Sequence, residues 1–462
     1  MAERRKVIVL DDDPTGSQTV HSAPLLLRWD ADSLRRGLRH PSPLLFVLAN
    51  TRALEPELAR ERVRQICRGL RVVLEELEAA GELDRWLIVS RGDSTLRGHF
   101  PLEVEVIQQE LGPFDATLLA PAFLPGGRTT VGGVHLLDGV PVHQSAFARD
   151  RLFGFSTSHL PSWVEQKTGG AIAADDVQQI GLAELDAAAA DPEGPGQAAL
   201  NRRLAGLSGS VLMAVDANHP RQLQALGRAI WSATDRRLLA QSAASLINAL
   251  VSLPPQPLDP TGLAALRRCD RNGTALPALV LVGSHVPLAD HQLEVLLSEP
   301  ACQGVELPVA KLARVLEGAA AAELLHSLER SWQEQLSDVL RQQRTPVLFS
   351  SRGELQCGSV RERRRFGLEL AALMARLAAA LAPQLGLIIS KGGVTTHTLL
   401  ADGLQCDGVE LQGQLLPGLS VVLTPATSLA PRLPVVTFPG NLGDAETLRQ
   451  AWQLMVQASA GA

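Results

Sequence analysis

Short apolar runs separated by longer helical patterns constrain this 462-residue chain more than any other feature. In the first half they are Val7–Leu10, Leu44–Leu48, Trp86–Val89, Thr117–Ala120 and Val211–Val215. In the second half they are Leu279–Val282, Pro346–Phe349, Leu385–Ile389, Val421–Leu423 and Val435–Phe438. Helical patterns such as Glu57–Ala80 and Arg361–Ala382 lie between them. Continuous apolar strands alternating with helices call for parallel sheets covered on both faces. The expected fold class is therefore α/β, with two domains, each a mainly parallel sheet covered by helices.

The boundary is expected at Leu253–Gly262, where four prolines fall in ten residues and no apolar period survives. We read residues 1–252 as one domain, 253–274 as a linker and 275–462 as a second domain. A further loop, Asp191–Gly196, reads as an insertion within the first domain. Two lobes on a short linker commonly take a ligand in the cleft between them.

Charge and cysteine content narrow the function classes. Lys+Arg 43 against Asp+Glu 49 leaves a net charge of −6, so no basic field draws the chain to nucleic acid or to an anionic membrane. Lys6, Lys167, Lys311 and Lys391 are the four lysines, and there is no tyrosine. The five cysteines are widely spaced without a CxxC pair, which indicates neither a disulfide framework nor a cysteine zinc site. The apolar run after Lys6 stops at three aspartates, too early for a signal-peptide core, and no long uncharged apolar run follows. A cytoplasmic protein is expected, with its oligomeric state open.

In open parallel sheets ligands sit beyond the carboxyl ends of the strands. The first strand runs into Asp11-Asp12-Asp13-Pro14-Thr15-Gly16, the second into Asn50-Thr51-Arg52 and the third into Ser90-Arg91-Gly92-Asp93-Ser94-Thr95-Leu96-Arg97-Gly98-His99. The fourth leads to Gly126-Gly127-Arg128. A helix cap at Asp13 or Thr15 would need one acid rather than three. Arg52, Arg97 and Arg128 all follow strand ends, and a guanidinium fork binds a carboxylate through two parallel bonds. The first domain thus reads as a site for a small, hydroxylated, anionic ligand. His135 and His143 flank Asp138 at no recognisable zinc spacing and read as packed or hydrogen-bonding residues, and Asp216 and His219 as ordinary turn residues.

The second domain carries glycine turns instead: Gly283-Ser284-His285 before Pro287–Leu297, Ser390-Lys391-Gly392-Gly393-Val394-Thr395 before Thr398–Gly403, and Pro439-Gly440-Asn441 before Glu446–Met455. Glycine lets backbone N–H groups approach an anion, and a helix N-terminus adds partial positive charge. The three turns together suggest a phosphate cradle, with Lys391 either neutralising phosphate or facing solvent. Neither GxxxxGK[ST] nor GxGxxG occurs.

The segments DDDPTGSQTVH (11–21), NTRAL (50–54), SRGDSTLRGHFPLE (90–103), GGRTTVGGVH (126–135), VGSH (282–285), KGGVTT (391–396) and FPGNLGD (438–444) resemble the four-carbon acid sugar kinase family. The resemblance implies an N-terminal acid-sugar-binding domain, a C-terminal nucleotide-binding domain, and ATP-dependent phosphorylation of an acid such as threonate, erythronate or an oxo-tetronate. By motif it puts Asp12, Asp13, Arg52, Asp93, Ser94, Thr95 and Arg97 on the substrate side, and Ser284, Gly392, Gly393, Val394, Thr395 and Gly440 on ATP. The strand-end reading adds Arg128 to the first set and Lys391 to the second. Arg52 and Arg97 are assigned to the sugar carboxylate and Asp12, Asp13 or Asp93 to the hydroxyl, one as base, with Mg²⁺ on the phosphates and its protein ligands undefined. The longer DDDPTGSQTVH form, and Leu136 after GVH, depart from better-known members on the substrate side.

Two other readings stand beside this one. Asp11-x-Asp13-x-Thr15 also fits the opening motif of haloacid-dehalogenase-type phosphatases, with Lys391 and Asp444 as their lysine and magnesium ligand. Lys391 lies far downstream for that role, and the segment after Gly443 lacks a second aspartate at the usual spacing. A non-catalytic two-lobed acid-sugar sensor would need the arginines but not the glycine turns.

Overall fold

The structure, a computed structural model, describes residues 4–457 apart from 15, 18, 252, 318–320 and 353–359. Thr15, part of the acidic turn read above, therefore lies outside the described residues. The chain divides into two compact units, one running to Pro255 and one from Gln256 that also takes in Val20–Ser22.

Among the described residues the first unit holds eleven strands: β1 (Arg5–Asp11), β2 (Ala23–Leu26), β3 (Leu44–Leu48), β4 (Arg85–Arg91), β5 (Ala116–Ala120), β6 (Arg128–Val131), β7 (Val134–Leu137), β8 (Val140–Pro141), β9 (Gln178–Ile180), β10 (Val211–Val215) and β11 (Leu238–Ser242). Eight of them form a sheet in the order β2-β3-β1-β4-β11-β5-β10-β9, every pair parallel. The antiparallel trio β6-β7-β8 stands apart from it. Register decides what meets at the carboxyl edge. Asp11 lies opposite Leu48 on one side and Arg91 on the other, and Arg91 lies opposite Ser242. The residues after β1, β3 and β4 therefore emerge side by side.

The helix Pro56–Ala79 shows why this sheet is covered. Proline suits its first turn, and Ala59, Val63, Ile66, Cys67, Leu70, Val73, Leu74 and Leu77 recur at helical spacing on its buried side. All but Ala59 join a core with Ile8, Leu45, Val47 and Ile88 from the sheet.

The second unit holds β12 (Ala278–Val282), β13 (Cys302–Leu307), β14 (Thr345–Ser350), β15 (Leu387–Lys391), β16 (Gly408–Leu416), β17 (Leu419–Leu423) and β18 (Pro434–Phe438), in the order β13-β14-β12-β15-β18-β17-β16. Pairs from β13 to β18 are parallel, whereas β17 runs antiparallel to both neighbours. Only Pro417 and Gly418 separate β16 from β17; so short a link permits a hairpin and no crossover. β15 ends two residues later than its apolar run suggests, which brings Lys391 into the strand. The helix opened by the Lys391 turn begins at Gly393, five residues before the expected start. The segment Arg365–Gln384 is long and apolar enough to cross a membrane by length and composition, and half of that stretch is buried within the fold.

Candidate functional site

In the first unit the acids and arginines close on one another. Arg52, on the short helical turn Thr51–Ala53 after β3, donates Nε to Asp12 Oδ2 at 2.9 Å and Nη2 to Asp12 Oδ1 at 2.6 Å. Its Nη1 lies 3.5 Å from Asp13 and 3.8 Å from Asp93. Arg91, at the end of β4, reaches Asp11 and Asp12 from the other side, at 3.3 Å each. Arg97 donates Nε to Asp93 Oδ2 at 2.7 Å, and the Thr95 hydroxyl donates to the same oxygen. Asn50 turns the chain with a left-handed φ of 49° just before Arg52, a conformation asparagine tolerates.

Three guanidinium groups thus stand against four carboxylates at one sheet edge. Burial pushes Asp93 up, yet Arg52, Arg97 and Thr95 outweigh it and hold the carboxyl at about 2. Asp11 is raised to about 7 by burial, which Arg91 only partly offsets while Asp12 and Asp13 add to the rise. Glu103, buried behind the cluster, is raised to about 7 by desolvation and by Asp12, although the Thr51 hydroxyl donates to it. Burial works against the charge of Arg52, but Asp12, Asp13 and Asp93 keep it protonated far above any working pH.

A second layer fixes the loop after β4. His135 is fully buried, with Nδ1 2.9 Å from the Thr130 hydroxyl and Nε2 2.8 Å from the Ser94 carbonyl. A carbonyl only accepts, so Nε2 carries the proton and Nδ1 accepts from Thr130. Burial lowers this imidazole to about 4, keeping it neutral. Asp216 takes the backbone N–H groups of Gly132 and Gly133 at 2.8 Å each, securing the β6–β7 turn that carries Thr130 and His135. His219 caps the helix Pro220–Ser232 in a capping box with Gln222. His99 donates Nε2 toward the carbonyls of Thr51 and Leu54, at 3.0 and 3.1 Å, tying the β3 and β4 loops together.

The second unit builds its site from backbone. β12, β15 and β18 are adjacent parallel strands, and their terminal turns touch: Gly283 N–H bonds to Lys391 O at 3.1 Å and Gly392 N–H to Phe438 O at 2.9 Å. A Cβ on Gly283 would overlap the Thr395 hydroxyl. Gly392 has φ 117°, a conformation side chains rarely adopt, and sits against the Ser284 backbone. Lys391 neither faces solvent nor stands open to a ligand. It is fully buried over the Phe438 ring, with Nζ donating to the carbonyls of Pro439 and Gly440 at 3.1 and 3.2 Å. Burial, aided by Arg352, lowers it to about 7. Arg352 in turn donates to the Ser284 carbonyl at 2.6 Å and to Asp290 at 3.0 Å.

The structure therefore brings together Asp12, Asp13, Arg52, Asp93, Thr95 and Arg97, with Ser94 held through its carbonyl. Arg52 and Arg97 are engaged by these aspartates rather than standing as open forks. Among the described residues Arg97 engages side chains only through Nε, and its guanidinium stacks 4.8 Å from the Phe147 ring. Arg128 does not join the charge cluster; its Nη1 folds back onto the Gly126 carbonyl. Ser284, Gly392, Gly393, Val394, Thr395 and Gly440 all lie on the three adjoining turns. Asp444 accepts from the Thr447 hydroxyl at 2.8 Å and from the Glu446 N–H at 3.0 Å, in the turn that precedes the final helix. Sequence reading passed over Arg91, Glu103 and Arg352. Arg91 alone had a signal, an arginine at a strand terminus beside the acidic turn. Glu103 and Arg352 are joined to the sites only by packing.

Comparison with known proteins agrees with this division. A family model described as the sugar-binding N-terminal domain matches residues 7–250, and one described as the nucleotide-binding C-terminal domain matches residues 279–448. A D-threonate kinase of Bordetella bronchiseptica is 29% identical over 412 residues, covering 88% of this chain and 85% of that protein. A D-erythronate kinase of Heliobacterium modesticaldum is 30% identical over 152 residues, covering 31% of this chain and 32% of that protein. Among solved structures, a Salmonella typhimurium LT2 chain shares the fold with a TM-score of 0.66 at 18% identity, covering 97% of this chain and 99% of its own. With both domain models in their expected halves, the first spanning more than half of its length, the chain belongs to the four-carbon acid sugar kinase family.

Proposed function

We propose that the chain phosphorylates a hydroxyl of a four-carbon acid sugar such as threonate, erythronate or an oxo-tetronate, using ATP. In this reading residues 1–252 bind the acid sugar, 253–274 link, and 275–462 bind the nucleotide. The observation that carries it is the Arg52 guanidinium, which gathers Asp12, Asp13 and Asp93 within 3.8 Å at the carboxyl edge of a parallel sheet. The relatives named as threonate and erythronate kinases support the substrate class.

Asp12 is 2% exposed and saturated by Arg52 and Arg91, so it anchors the cluster. Asp93 is held at about 2, too weak a base for a sugar hydroxyl. Asp13, 25% exposed and at the longer distance of 3.5 Å from Arg52, is the acid we assign as base. Arg97 offers its terminal nitrogens to the substrate carboxylate, with Ser94 and Thr95 on the neighbouring oxygens. ATP would supply the phosphoryl group, and Mg²⁺ brought in on its phosphates would offset their charge. Among the described residues no cluster of three or more His, Cys, Asp or Glu forms a metal cage, and an ion carried mainly by phosphates needs none. The backbone of Gly392–Thr395, with Ser284 and Gly440, holds the phosphates. Lys391 acts one step back, fixing the Gly440 turn. The substrate oxygen bonds to the terminal phosphorus, its proton passes to Asp13, and ADP leaves.

The test is ADP formation across a panel of four-carbon and neighbouring acids. Acid-dependent ADP release is expected, falling at least about 100-fold in Asp13→Asn. Phosphate release from sugar phosphates without ATP would overturn the kinase reading.

A further inference from the structure

The loop after β4 borders a small cavity that the charge cluster does not account for. It measures about 20 Å³, with Gly92, Asp93, Arg97, Glu103, Trp163 and Gln241 in its wall. That volume admits one water-sized group. Two polar atoms in its lining residues are buried without a partner among the described residues: Trp163 Nε1 and Gln241 Oε1. Trp163 is 3% exposed, and its ring packs 4.7 Å from Phe100, which fixes the indole. Gln241 lies on the central strand β11, opposite Ser90 and Leu119. Buried polar groups are almost always paired, so orphans beside a cavity mark a place that a ligand completes.

Their chemistry selects the ligand. An indole N–H only donates, whereas a primary amide both donates and accepts. A hydroxyl also does both and can satisfy the two together. A carboxylate has no proton to give Gln241 Oε1, and a cation would meet the indole N–H. Asp93 and Arg97 belong both to the cavity and to the charge cluster, so a group seated here is continuous with that site.

We propose that Trp163 and Gln241 form a subsite that receives one non-reacting hydroxyl of the acid sugar and thereby sets substrate specificity. The proposal rests on the acid-sugar reading above. It is tested by comparing kcat/KM for the best acid sugar with that for its analogues lacking one hydroxyl, in the wild type, Trp163→Phe and Gln241→Leu. The wild type should prefer the hydroxylated acid, and each variant should lose about tenfold of that preference at the same hydroxyl position, with the nucleotide KM unchanged. Phenylalanine keeps the packing against Phe100, and Gln241→Leu is an independent arm should Trp163→Phe not fold. Undiminished discrimination in a folded variant would overturn the subsite. So would a lowered melting temperature with discrimination intact, because the cavity would then serve a bound water. A wild type with no acid-dependent turnover would instead sink the kinase reading and this subsite with it.

Discussion

The two candidate sites occupy the same place in their units, the carboxyl edge of a parallel sheet, yet they are made of different matter. The first is made of side chains: Asp12 is locked in a bidentate pair with Arg52 and also reached by Arg91. The second is made of backbone: the turns at Gly283, Gly392 and Gly440 lean on one another, with buried Lys391 tying two of them. A side-chain site fails when one charge loses its partner. A backbone site tolerates changes of charge nearby and fails when an atom is added.

The largest effect expected from this contrast is that of Arg52→Ala. It strips buried Asp12 of its bidentate partner and leaves only Arg91, at 3.3 Å; removing one partner of a buried pair costs about 3–5 kcal/mol. Chemical denaturation should show that loss, and acid-sugar turnover should vanish. Retained stability would mean that Arg91 alone neutralises Asp12, breaking the picture of a cluster centred on Arg52.

Gly392→Ala should come next. The backbone there sits at φ 117°, and an added Cβ would lie 3.2 Å from Ser284 N. Strain of about 1–3 kcal/mol would displace the turn, raising the nucleotide KM about tenfold or more while leaving acid-sugar binding by calorimetry unchanged. Equal loss of both ligands would dissolve the distinction between the two sites.

The smallest effect is a pH dependence at Glu103. Its folded pKa of about 7 lies above its ordinary value of 4.5, so the native state holds a proton that the unfolded chain has released. Stability from this group therefore falls as pH rises from about 4.5 to 7. Glu103→Gln keeps an acceptor for Thr51 and removes the titration. Its melting temperature should exceed that of the wild type by a few degrees at pH 8, about 1–2 kcal/mol, and by little at pH 5. A difference independent of pH would show that packing, not charge, governs this position.

Legibility followed the physics of each feature. The parallel sheets were readable because strands buried on both faces are apolar throughout, as in Leu44–Leu48 and Ala278–Val282. Strands with mixed faces were not: β11 carries Gln241, β13 alternates buried and exposed residues, and β16 alternates along its whole length. Asp12, Asp13, Arg52, Asp93 and Arg97 were readable because they crowd strand ends in short segments. Arg128 shared that position and went elsewhere, since the β6–β7 hairpin turns it back on Gly126.

What the sequence determined by itself is the α/β class, the two-part organisation and the family, all of which rest on local apolar runs and contiguous motifs. Only the tertiary structure decided which charges pair. It gave Arg52 and Arg97 to aspartates, turned Lys391 inward and set Glu103, Trp163 and Gln241 around one cavity. Partners in space are chosen by strand register and packing, and neither is written in the spacing of residues along the chain.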